Sequence, residues 1–201
     1  MISLSTHEAI VWWEFQQGKS TGEIAEDYQE ERSIPSYVQQ TLGESSNGKI
    51  SFGDAAYVSR VLNRARNKIE KILSDNANSH RLDVESLLDY KGLLIGFDYQ
   101  ASAAVYIVFT MKLGPVVWYK HDSYAGKLCD GTPYDRPAED TRNLDPCPKR
   151  LECREILDTI MEEYAITLRP DEEELYMTQQ SIAIFNKLAA KEIPRYKRRG
   201  D

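Results

Sequence analysis

Residues 4–28 carry the same helix-start signal twice, Ser5-x-x-Glu8 and Ser20-x-x-Glu23, and this constrains the fold more than any other stretch. In such a box the hydroxyl accepts from the backbone N–H three residues on, and the carboxylate accepts from the serine's own N–H. Two donors that a helix start leaves orphaned are thus satisfied together. Gly18 stands where the first helix must stop and turn, since glycine takes a positive φ without a Cβ clash. Ile10, Val11, Trp12, Trp13 and Phe15 fill the first helix, while Ile24, Ala25 and Tyr28 give the second a short packing face. Two short helices at a tight angle are expected, with small Ala25 at their crossing.

Such a pair is a scaffold for a third helix that enters a DNA groove, and two segments compete for that place. Residues 34–42 arrive almost on schedule, with Pro35 suited to a first helical turn, but the segment is short and has no positive charge. Residues 54–73 arrive after an insertion near 29–53 that includes the flexible stretch 43–48. They offer a capping Asp54, and Val58, Val61, Leu62, Ala65, Ile69, Ile72 and Leu73 at helical spacing. The other faces hold Arg60, Arg64, Arg66, Lys68 and Lys71, with Glu70 the one opposing charge after the cap. We take 54–73 as the recognition helix, which makes 34–42 a wing-like or capping insertion. Base reading needs forked or amide side chains early in the helix, here Tyr57, Ser59, Arg60 and Asn63. Arg64, Arg66, Lys68 and Lys71 lie further along, suited to phosphates. Lys19 and Ser20, at the start of the second helix, complete the expected DNA-binding set.

The run Leu4-Ser5-x-x-Glu8-x-x-Val11-Trp12-x-x-Phe15-x-x-Gly18-x-Ser20-x-x-Glu23-Ile24-Ala25-x-x-Tyr28 resembles the first two helices of LuxR-type and sigma-factor region 4 helix-turn-helix domains, a pattern shared by archaeal Tfx-type regulators. Val58-Ser-Arg-Val-Leu62-Asn-Arg-Ala-Arg66-Asn-Lys68-Ile69 resembles the recognition helix and following turn of that family. The first match is unbroken in register but covers only about an eighth of the chain. The chain departs from the family after Tyr28, where a short turn should lead directly to the recognition helix. The resemblance implies a transcriptional regulator that binds double-stranded DNA. Pairing as a homodimer is expected as well, because one such module offers limited contact area and two half-sites double it.

Composition limits how such a protein binds. The net charge of −7 excludes a chain that coats nucleic acid with its whole surface, so any contact must come from a local basic patch. A chain of 201 residues with 41% hydrophobic content can bury a real core, as one larger or two small domains. No stretch is long or apolar enough to span a bilayer, the first residues have no secretory plan, and three cysteines make no disulfide framework, so a cytoplasmic protein is expected.

The fold expected is α+β: an N-terminal helix-turn-helix module (1–78), then a small antiparallel three-stranded sheet covered by C-terminal helices in a sensor or dimerisation module (79–201). The boundary is placed in the polar run 74–79, followed by a short helix over 81–90. Segments 93–99, 103–110 and 116–119 are rich in β-branched and aromatic residues, with turns at 100–102 and 112–115, which predicts a meander. Two of these strands are apolar on both faces, so helices must cover at least one side; 149–164 and 178–193 supply them. The ending Pro194-Arg-Tyr-Lys-Arg-Arg199 reads as a basic, solubilising tail.

His121, Cys129, Cys147 and Cys153 fall in or beside one Gly/Pro/Asp-rich span and offer ligands for zinc or an iron–sulfur cluster. The spacing lacks a Cys-x-x-Cys knuckle, and Cys153 falls on an apolar helix stripe, where cysteine acts as a small hydrophobe. Catalysis has little support, with no nucleophile elbow, phosphate-cradling loop or His-Glu-x-x-His pair. Asp98, Asp122, Asp130 and Asp135 are the residues for a divalent-metal enzyme, and Tyr99, Tyr106, Trp118 and Tyr119 for a ligand pocket, though acidic loops are mostly solvated and strand aromatics mostly core. The alternative class is a protein–protein interaction module docking on transcription machinery, with the helix pair serving only as packing.

Overall fold

The computed structural model of the chain describes residues 4–43, 48–84, 92–120, 150–175 and 177–192. Both boxes close as the sequence requires. Helix α1 (Thr6–Gln16) starts with Ser5 N–H donating to Glu8 Oε2 at 2.8 Å and Glu8 N–H donating to Ser5 Oγ at 3.4 Å. Helix α2 (Thr21–Asp27) repeats this with Ser20 and Glu23 at 2.7 and 3.2 Å. Gly18 between them has φ +98°.

The described part of the insertion folds around a short ribbon. Strand β1 (Arg32–Ser33) pairs antiparallel with β2 (Lys49–Ile50), and helix α3 (Ser36–Leu42) lies between them in the chain. Tyr37 of α3 stacks on Trp13 at 4.4 Å, and buried Val38 anchors the same helix. Helix α4 (Ala55–Ser79) then runs for 25 residues, with Asp54 capping it through the N–H of Tyr57 at 2.8 Å. It continues through the polar stretch 74–79, where Ala77 is buried.

The sheet has four strands in the order β3-β4-β5-β6, all antiparallel, which corrects the expected three. Strands β4 (Leu93–Asp98), β5 (Ala103–Thr110) and β6 (Gly114–Tyr119) form the predicted meander. The added strand, β3 (Asp83–Val84), occupies part of the segment expected to be helical. Two features make room for it: Arg81 takes φ +56° just after α4 ends, and Gly96 on β4 has no side chain to keep Asp83 at a distance. The rest of that expected helix, 85–90, lies outside the described residues.

Helices cover both sheet faces. Helix α5 (Arg150–Glu163), a single turn α6 (Pro170–Glu173) and α7 (Met177–Glu192) follow the sheet. Phe185 of α7 stacks on Tyr106 at 4.4 Å and 6°, with Trp118 beside it, a geometry that adds about 1 kcal/mol to plain burial. On the alternate residues of β5, Phe109 meets Trp12 of α1 edge-on. Trp12 also meets Tyr164 edge-on, whose hydroxyl donates to Phe109 O at 2.6 Å. Helix α1 is therefore central, burying Glu8, Ala9, Ile10, Val11, Trp12, Glu14 and Gln16 around its whole circumference. Helices α1 and α2 both pack on α4, and α4 also packs on β5 and β6.

One buried carboxylate ties the insertion to the C-terminal half. Glu163, 1% exposed, accepts from Tyr37 Oη at 2.7 Å and from the β5–β6 turn N–H groups of Met111 and Lys112 at 2.7 and 3.0 Å. Burial pushes its pKa up, against the pull of these three donors. No helix among the described residues is long and apolar enough to cross a membrane.

Candidate nucleic-acid interface

Helix α4 buries one stripe (Val58, Val61, Leu62, Ala65, Ile69, Leu73 and Ala77) and turns the opposite one outward. On the outward stripe Arg60, Asn63, Arg64, Asn67 and Lys71 are all exposed. These positions recur every three or four residues, so they share one face over about 16 Å of helix. A helix with side chains is about as wide as the B-DNA major groove, and this face carries guanidinium, amide and ammonium donors in series. Arg64 keeps 61% of its side chain exposed, and the sheet covers neither it nor Arg60.

The remaining sequence-predicted contacts are held elsewhere. Lys19 is bound by Glu14 at 2.8 Å and Asp27 at 2.6 Å. Burial lowers the pKa of that ammonium, but these two carboxylates outweigh it and hold it above the ordinary value. Ser20 uses its hydroxyl as the α2 cap. Tyr57 is half-buried, its hydroxyl 2.7 Å from His7 Nδ1. Ser59 is half-buried. Arg66 lays its guanidinium over the Phe15 ring, 4.8 Å from the centroid. Lys68 faces α1, with Nζ 2.7 Å from Glu8 Oε2. Burial raises the pKa of Glu8, yet Lys68 and the Ser5 donors outweigh it and hold the carboxyl below its usual range. The segment 34–42, the competing recognition helix, is packed on α1 through Tyr37 and Val38.

Two participants escaped the sequence reading. Asn67 was recoverable, since it sits four residues from both Asn63 and Lys71 on the same face. Glu8 was seen only as a capping residue, because its reach to Lys68 spans 60 residues of sequence. Around this stripe the surface is acidic: α2 and the turn after it expose Glu23, Glu26, Asp27, Glu30 and Glu31.

Cys153 is 3% exposed, inside the core. His121, Cys129 and Cys147 lie outside the described residues, as do Asp122, Asp130, Asp135 and the basic tail. Among the described residues no three His, Cys, Asp or Glu side chains are grouped to hold a metal ion. Asp98 accepts from the N–H groups of Gln100 and Ala101 and from Tyr119 Oη, a turn-closing role. Tyr106 and Trp118 are core, and Tyr99 is 70% exposed, so the four aromatics line no common pocket. An open cleft of about 420 Å³ lies instead among α5, α6 and α7, lined by Arg154, Met161, Ile166, Leu168 and Gln180. Compared with known proteins, the chain matches no family model, no curated protein and no solved structure.

Proposed function

We propose that this chain is a cytoplasmic, sequence-specific transcriptional regulator that binds double-stranded DNA through a helix-turn-helix, with α4 as the recognition helix and a homodimer as the binding species. The observation that carries the reading is the outward stripe Arg60, Asn63, Arg64, Asn67 and Lys71, held by α1 and α2 packed on α4. Arg60, Asn63 and Asn67 read base edges; Arg64 and Lys71 meet phosphates. The C-terminal half acts as a sensor or dimerisation module.

The test is selection of bound fragments from genomic DNA, followed by a salt titration on the selected duplex. Lys71→Ala weakens binding equally on all sequences and flattens the log–log salt slope by about 0.9. Arg60→Ala costs about 1–3 kcal/mol and relaxes the preference at one position. Absence of duplex binding at low salt overturns the reading and favours the protein-interaction module.

A further inference from the structure

A capping box works with glutamine as well as with glutamate at its third position, so the charge on Glu8 is not needed to start α1. That charge is buried, with 5% of the side chain exposed, and is directed at α4: Oε2 lies 2.7 Å from Lys68 Nζ and Oε1 4.0 Å from Arg64 Nε. Lys68 stands four residues from Arg64 and three from Lys71, beside the outward stripe, yet its ammonium is neutralised from within the protein. We propose that Glu8 is a built-in counter-anion that keeps Lys68 out of the phosphate-contacting set and thereby limits the strength of duplex binding. This rests on the DNA-binding reading above.

Relative energies decide the competition. A phosphate contact by Lys68 at the surface is solvated and screened. Leaving Glu8 takes the nearer of two cations from a buried carboxylate, with only Arg64 Nε left at 4.0 Å, the costlier of the two. Lys68 therefore stays on Glu8 when DNA arrives, and the pair releases no counterion. Neutralising Glu8 removes that restraint from Lys68, a cation on a flexible stem beside the stripe.

The experiment uses the full chain as wild type, Glu8→Gln, Glu8→Gln with Lys68→Gln, and Glu155→Gln. The last is a control that removes the exposed Glu155 of α5 from Lys112 in the β5–β6 turn. Glu8→Gln binds duplex about eightfold more tightly at 0.1 M salt, with a slope steeper by about 0.9. The double variant returns to the wild-type curve, and the control stays on it. A Glu8→Gln curve that matches the control, or a gain that survives the loss of Lys68, overturns the proposal. Mass-spectrometric acylation of lysines tests it in the unaltered protein: Lys68 reacts more slowly than Lys71, and added duplex protects Lys71 but not Lys68. Equal protection of both overturns the restraint while leaving DNA binding intact. Slow Lys68 labelling without duplex binding by any variant overturns the regulator reading, and this role for Glu8 with it.

Discussion

Gly92 is the position where the smallest change should do the most damage. Its φ is +118°, and a Cβ built there lies 2.3 Å from Tyr164 Oη, 3.0 Å from Trp12 Cζ2 and 3.2 Å from Tyr164 Cε1. Neither ring can yield cheaply: Tyr164 is fully buried, Trp12 is 1% exposed, and the Tyr164 hydroxyl is fixed by its 2.6 Å bond to Phe109 O. Gly92→Ala therefore adds backbone strain of about 1–3 kcal/mol. Displacing the hydroxyl leaves the Phe109 carbonyl short of its donor, for about 1–3 kcal/mol more, and overpacking adds about as much again. Since relaxation at one contact relieves the others, we expect a loss of about 3–6 kcal/mol, a large part of the ~5–15 kcal/mol typical of a folded domain. Urea denaturation followed by far-UV circular dichroism measures it, and thermal unfolding shows a melting temperature lower by about 6–24 °C. Tyr164→Phe removes the atom nearest the new methyl, so the double variant should be more stable than the two single losses sum to, by about 1–2 kcal/mol. A Gly92→Ala protein within about 1 kcal/mol of wild type, or strictly additive losses, refutes the reasoning.

At Gly96 the added carbon meets backbone, Asp83 O at 2.6 Å, so Gly96→Val should detach β3. Hydrogen exchange then speeds at 83–84 and 96–97 while β5 and β6 keep their protection; unchanged exchange would count against the pairing. Glu163 makes stability depend on pH: its folded pKa is raised above the ordinary 4.5, so the folded state holds the proton more tightly than the unfolded chain. Its contribution is complete below that value and is lost as pH rises through the folded pKa, so the stability of wild type relative to Glu163→Gln shrinks with rising pH. Urea titrations of both proteins at stepped pH check this, and a difference that grows with pH contradicts it.

What the sequence disclosed is what local chemistry decides. The two capping boxes, the positive φ at Gly18, the Asp54 cap and the three long strands depend on residues within a few positions of one another, and each formed where its pattern lay. The two-residue strands β1, β2 and β3 carry too little pattern to register; β3 exists because a glycine on another strand leaves room for it. The same division separates the cations of α4. Helical spacing put Arg60, Arg64 and Lys71 on an outward face, but it also admitted Arg66, Lys68 and, from the α2 turn, Lys19. Those three are held by Phe15, Glu8, and Glu14 with Asp27, partners that only the packing of α1 and α2 brings near. Charge pattern alone therefore overstated the basic surface twofold.

The two tryptophans at the centre of α1 pack the halves of the chain together. A helix that only braced a recognition helix would bury one side, whereas α1 is buried all round, with Trp13 under the Tyr37 ring and Trp12 between Phe109 and Tyr164. Glu163, next to Tyr164, fixes the Tyr37 hydroxyl from the opposite end. Helix α4 packs on this same helix and directly on β5 and β6. On the proposed reading, an effector at the C-terminal half has no slack linker through which to swing α4 alone. Close-packed interiors shift between discrete arrangements rather than bending smoothly. If the chain is the proposed dimeric regulator, an effector would change the whole chain's placement against a second copy, and with it the spacing of half-sites, rather than the orientation of one helix.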